Sequence, residues 1–219
     1  MHKAGILEHL VIVGSWCIYF YRHRYKEAEA LPPLRTLDMD IDVNFLNRAP
    51  VVVNIPKLLE ELGFHPAFHS DGSMEFIRPE LAIEFLIPEE GRSAEGPYKI
   101  PGFGVVAQPL RFLSLLEDEV ITVPYRGLNV HIPHPVRFAI HKLIISKRRR
   151  GLNQKAERDI RQAVEVLGMV YKIGEQQKIK ETLEGLTRKQ KSYVKQSLGT
   201  KFAADLAELA APDVLGFLE

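Results

Sequence analysis

The stretch Thr36 to Phe45 constrains this chain most, because it alternates strictly between apolar and acidic positions. Leu37, Met39, Ile41 and Val43 point one way, and Asp38, Asp40 and Asp42 point the other. A period of two is that of a β-strand with one apolar and one acidic face. Neighbouring carboxylates on such a face lie roughly 7 Å apart, at ~3.3 Å per residue. Their repulsion is unfavourable, and aspartate is a poor strand former. A solvated sheet edge tolerates the arrangement. A bound divalent cation turns it into an advantage, because hard cations prefer oxygen ligands.

Other segments arrange themselves around this strand. Leu10-Val11-Ile12-Val13 is a short apolar strand, Gly14-Ser15 a turn, and Trp16 to Arg24 a helix. Ala28 to Arg35, with Pro32-Pro33, reads as a loop. Pro56 to Leu62 is a short amphipathic helix closed by Gly63. Met74–Ile77 and Leu81–Ile87 form a hairpin turning at Arg78-Pro79-Glu80, and Pro88 to Gly102 is a loop. Val105–Ala107, Glu119–Val123 and Leu128–Ile132 are further strands. From Pro135 the period becomes helical, with helices expected over 136–146, 154–167, 175–186, 187–198 and 202–210. The fold class expected is α+β: a mixed β-sheet core over residues 1–133, followed by a C-terminal helical region over 134–219.

Composition narrows the function classes. With 219 residues, 46% apolar and 26% charged, the chain is that of a globular protein rather than a disordered one. A single cysteine, Cys17, excludes an internal disulfide framework and a Cys-rich zinc site. The apolar run Leu10–Phe20 is too short to span a bilayer, and Tyr21-Arg22-His23-Arg24 follows it in place of a small-residue cleavage site. No targeting segment and no membrane partner are expected, and the cytoplasm is the expected compartment. Charge is divided: residues 1–133 carry a net −6 and residues 134–219 a net +7, giving the total of +1. The run Lys147-Arg148-Arg149-Arg150 is the best candidate for a basic wall facing a polyanion, while the Lys-rich last 40 residues read as solvated helix faces.

Two further features carry chemistry. Gly14 permits close approach of backbone to a ligand, and the helix start beyond it offers amide N–H groups to an anion, with the Ser15 hydroxyl beside them. Glu84 is a charge inside the otherwise apolar run Leu81-Ala82-Ile83-Glu84-Phe85-Leu86. Taken alone it is a residue pointing to solvent; beside the Asp strand it supplies a third carboxylate.

This ordered set resembles the nucleotidyltransferase superfamily of the DNA-polymerase-β type: strand, Gly-Ser, helix, Asp-x-Asp, then a later carboxylate. The variant is most similar to abortive-infection-type and related minimal bacterial nucleotidyltransferase-like proteins. Arg35-Thr36-Leu37-Asp38-Met39-Asp40, His141-Lys142-Leu143 and Lys155-Ala156-Glu157-Arg158-Asp159 resemble their motifs. The resemblance implies that Asp38 and Asp40, with Glu84, hold two magnesium ions about 4 Å apart, Glu84 serving as third ligand or as proton acceptor. It implies that Gly14 and Ser15 hold the terminal phosphates of an NTP and that Lys142 reaches the triphosphate. The activity implied is transfer of an NMP group to a protein, an RNA 3′ end or a small molecule. Asp42 leaves a second pairing open, Asp40 with Asp42, though Thr36 favours Asp38 with Asp40. The reading from a different class is a catalytically weak or inactive nucleotidyltransferase-fold binding protein, such as half of a toxin–antitoxin pair. Cys17 reads as a buried structural thiol, Trp16 as core, and His131 and His134 as loop histidines.

Overall fold

The computed structural model describes residues 1–33, 36–89, 96–149 and 153–199. The chain is α+β and forms two compact units. One contains Met1–Phe20 with Pro33–Pro133; the other contains Tyr21–Pro32 with the chain from His134 onward.

The first unit is built on a mixed sheet. Its strands are β1 (Val11–Val13), β2 (Asp38–Asp42), β3 (His65–Phe68), β4 (Met74–Arg78), β5 (Leu81–Pro88), β6 (Tyr98–Lys99), β7 (Val106–Leu110), β8 (Val120–Tyr125) and β9 (Leu128–Pro133). The order across the sheet is β3-β4-β5-β2-β1-β9-β8, with β7 beside the far end of β5 and β6 beside β7. β2 therefore lies inside the sheet, parallel to β5 and antiparallel to β1. It is not the solvated edge that would tolerate three aspartates most easily.

Alternation explains the two faces. Ile41, Val43, Ile83, Phe85 and Phe76 pack on one side against the short helix α2 (Ile55–Glu60) and the loop around Phe103. On the other side Val11, Val13 and Leu86 pack against Leu113 and Leu116, which flank and form α3 (Ser114–Glu117). The aspartates lie on this second face. β2 is shorter than the alternation suggests: it ends at Asp42, whose Oδ1 accepts the Asn44 backbone N–H at 2.9 Å, and a 3₁₀ turn follows over Asn44–Arg48. This Asx-type bond competes with the sheet ladder and stops the strand. Leu37, expected on the apolar face, precedes the strand and is 61% exposed. The hairpin of β4 and β5 turns where Pro79 sits. The strand β3 went unanticipated because it is short and contains Pro66, which an edge strand accommodates. β6 lies in the stretch expected to be loop, and 3₁₀ turns over Lys26–Ala30 begin the expected loop 28–35.

The helix α1 (Trp16–Arg24) starts in the first unit and ends in the second. The second unit adds α4 (Pro135–Ser146), α5 (Asn153–Lys172), α6 (Gln176–Gly185) and α7 (Arg188–Leu198). His134 caps α4: its Nδ1 accepts the Val136 N–H, so Nε2 carries the proton shared with Glu175 Oε2 at 2.8 Å. Tyr21 is fully buried and meets Phe138 edge-on at 5.7 Å. α4 and α7 are tied by Ser197 Oγ, which donates to the Leu143 carbonyl at 2.8 Å. The helix expected over Phe202–Ala210 lies outside the described residues, as do Arg35 and Arg150. Among the described residues no helix is long and apolar enough to cross a membrane.

Candidate active site

Register brings the predicted carboxylates together. Asp40 of β2 stands directly beside Glu84 of β5, and Asp38 beside Ala82. A parallel pair of strands presents such neighbours on one face. On the far side of β5, Glu84 also stands beside Glu75 of β4. Glu75 is a fourth carboxylate that the sequence reading did not single out. His69 meets it, Nε2 to Oε1 at 3.1 Å. Only the antiparallel pairing of β4 with β5 reveals Glu75, since its own strand gives no acidic pattern.

The electrostatics follow from this crowding. Burial raises the Glu84 carboxyl above its ordinary value, and the carboxylates of Asp40, Glu75 and Asp38 raise it further; His69 opposes them. Asp38 is oriented from its own N-terminal side. Its backbone N–H donates to Thr36 Oγ1 at 3.2 Å, and the Thr36 hydroxyl donates to Asp38 Oδ2 at 3.5 Å.

The Gly-Ser turn belongs to the same place. Gly14 has φ +64°, the left-handed region. A Cβ at Gly14 would overlap the Asp40 carboxylate. Both facts require glycine: one for the turn, the other to seat the acid against the backbone. Ser15 follows immediately. The amides of Cys17 and Ile18 bond back to the carbonyls of Gly14 and Ser15 at 3.2 Å. The Trp16 indole N–H is buried with no acceptor among the described residues.

Asp42, the third aspartate, is in different surroundings. It is fully buried, between Val11 and Leu86 in the ladder. Burial pushes its carboxyl up to about 8; the Asn44 N–H opposes this, and the nearby Glu117 carboxylate adds to it. Asn44 Nδ2 donates to Glu117 Oε2 at 3.2 Å, so one asparagine serves both acids. Asp42 faces a structural neighbour, whereas Asp38 and Asp40 face Glu84.

The family then becomes evident. A family model described as Nucleotidyltransferase matches residues 1–186. The chain belongs to this nucleotidyltransferase family. Among solved structures, this nucleotidyltransferase is similar to an antigenic nucleotidyltransferase-like protein from Paracoccidioides brasiliensis, at TM-score 0.44 and 14% identity over 95% of this chain and 83% of that one. It is also similar to the antibiotic-resistance factor ANT(2'')-Ia, at TM-score 0.41 and 10% identity over 78% of this chain and 85% of that one. No curated protein matches it in sequence.

Lys142 and the C-terminal motifs lie in the second unit. Lys142 is buried on α4, its Nζ 2.7 Å from Asp159 Oδ1 and 5.6 Å from the centre of the Phe138 ring. Arg149 Nε engages the other Asp159 oxygen. The His-Lys-Leu and Lys-x-x-Arg-Asp stretches thus meet as a buried ion triad. Arg149, a member of the run expected to face a polyanion, is bound within it.

Among the described residues no group of three or more His, Cys, Asp or Glu is gathered closely enough to hold a metal ion unaided. Magnesium does not require such a cage, because one or two protein carboxylates plus substrate phosphates normally hold it. The donor set of Asp38, Asp40 and Glu84 is all oxygen, and the crowding that raises Glu84 is what a cation would relieve. The donors are of the type that magnesium takes.

Proposed function

We propose that this nucleotidyltransferase moves a nucleoside monophosphate from an NTP to an acceptor hydroxyl on the face that carries Asp38, Asp40 and Glu84. The observation that supports this most is the seating of the Asp40 carboxylate against Gly14, with Glu84 beside it in register. Asp38 and Asp40 would hold the magnesium, with Glu84 either completing its shell or serving as the proton acceptor. Magnesium, when bound, makes the acceptor hydroxyl more acidic and neutralises charge on the departing pyrophosphate.

The chain's own groups divide the remaining work. Where Glu84 serves as the proton acceptor, standing beside Asp40 in register, it takes the proton of the acceptor hydroxyl as the hydroxyl oxygen bonds to the α-phosphorus. The bond from the α-phosphorus to the bridging oxygen breaks, and pyrophosphate leaves. Ser15 and the backbone of the turn that begins at Gly14 hold the terminal phosphates. Thr36 holds Asp38 in position through its hydroxyl. Transfer of this kind depends on positioning and electrostatics more than on covalent chemistry, so this short list suffices. Lys142 is left out, since its ammonium is bound to Asp159.

The test is incubation with α-labelled NTPs, magnesium and cell extract, followed by separation into protein, RNA and small molecules. Label enters one of the three fractions and is lost in Asp40→Asn. Transfer that persists in Asp40→Asn moves the site elsewhere. No transfer, together with no NTP-dependent thermal stabilisation, favours the inactive, regulatory reading.

A further inference from the structure

We infer that the solvent face of α7 is a docking surface for the phosphodiester backbone of a nucleic acid. The helix reads Arg-Lys-Gln-Lys-Ser-Tyr-Val-Lys-Gln-Ser-Leu and contains four cations and no acid. Val194, Ser197 and Leu198 are its buried side, so Arg188, Lys189 and Lys195 stand exposed opposite them and Lys191 is half-exposed at the margin. Arg188, Lys191 and Lys195 follow at i, i+3 and i+7, one stripe about 10 Å long at ~1.5 Å per residue. Among the described residues none of these four cations forms an ion pair; Lys189 Nζ lies 6.0 Å from the centre of the Tyr193 ring.

Two comparisons set this face apart from the neighbouring helix surface. The neighbouring helix α6 mixes its charges and pairs Lys180 with Glu184. The first turn of α7 has no acidic residue, yet holds Arg188 and Lys189 at the positive end of the helix dipole, where cations are unfavourable. The capping box of Thr187 with Gln190 holds that turn in place despite the repulsion. Cations that pair with no described acid, at a costly position, fit a polyanion that supplies the opposite charge.

The chemistry separates the possible polyanions. A helix that enters a lipid surface needs an apolar face to bury there. Val194 and Leu198, the apolar residues of α7 with Tyr193, are fully buried in the protein. What α7 presents is a line of cations with Ser192 and Gln196 between them, the donor set that contacts phosphate oxygens without reading bases. The inference does not depend on the nucleotidyltransferase site, because binding is measured without turnover.

The experiment uses the full chain with fluorescein-labelled 20-mers of mixed sequence, one single-stranded RNA and one duplex DNA, read by anisotropy at several salt concentrations. Three neutralised phosphates weaken binding roughly 20- to 40-fold between about 50 and 200 mM salt, at ~0.7 per phosphate for single strands and ~0.9 for duplex in the log–log slope. The triple variant Arg188→Gln/Lys191→Gln/Lys195→Gln loses about two units of that slope on the RNA and nearly three on the duplex, while Lys57→Gln, an exposed cation of the first unit, leaves it unchanged. The single reversal Lys195→Glu, with an unaltered circular dichroism spectrum, weakens binding in the same direction and guards against misfolding of the triple variant. The two probes tell RNA from DNA. No binding to either at 50 mM salt overturns the inference, as does binding that the α7 variants leave intact. Binding only to vesicles of anionic lipid, with neither nucleic acid bound, overturns it in favour of a membrane.

Discussion

The two units treat charge in opposite ways. In the sheet-based unit, Asp38, Asp40, Glu75 and Glu84 come together as charges of one sign, with the imidazole of His69 opposing them. In the helical unit, Asp159 is buried with both oxygens answered, one by Lys142 and one by Arg149. A paired triad closes a fold. A crowd of like charges lowers stability and persists where something absent from the apoprotein repays it. The difference teaches where to look for catalysis: where acids of one sign crowd together, not where an acid is paired with cations.

The comparison can be broken in order of effect. Asp40→Asn lowers transfer by about 10³–10⁴-fold, equivalent to about 4–5.5 kcal/mol in the barrier, while its melting temperature in EDTA stays level or rises; a fall in both would make Asp40 a structural acid. Asp159→Asn does the reverse. It leaves buried Lys142 without a countercharge and costs about 3–5 kcal/mol, read by urea unfolding; a change below 1 kcal/mol would show that the triad is not a buried pair. Asp42→Asn keeps the acceptor for Asn44 and removes a carboxyl whose folded value is about 8 against an ordinary 3.8. A raised carboxyl means that the folded state holds its proton more tightly, so stability falls as pH climbs from about 4 to about 8. The variant melts roughly 3–6 °C higher at pH 8 and gains little at pH 4; equal gains at both would exclude the titration. Glu84→Gln shows the same sign more weakly in EDTA, its stability losing the decline with rising pH that the raised carboxyl imposes.

Local signals were the legible ones. The Gly14-Ser15 turn, the helix from Trp16, the β4–β5 hairpin around Pro79 and the alternation of β2 each depend on a few neighbouring residues. The fates of Asp42 and Lys142 depend on distant partners. Glu117 lies 75 positions beyond Asp42, and only the fold places α3 over that end of β2. Likewise Lys142 and Asp159 stood in view as parts of two motifs, but nothing in their spacing states that they bind each other. Glu75 was hidden for a third reason: strand register, not composition, sets it beside Glu84.

The segment from Tyr21 to Pro32 bears on how this molecule can be taken apart. Although it precedes most of the sheet in the chain, it belongs to the helical unit, where Tyr21 rests on Phe138 and Arg22 holds the Leu31 carbonyl at 2.8 Å. Severing the polypeptide after Pro133 would strip Tyr21 of its Phe138 cover and leave that apolar side chain bare in the N-terminal fragment. Dissection by simple truncation is therefore the wrong tool, and point substitution the right one.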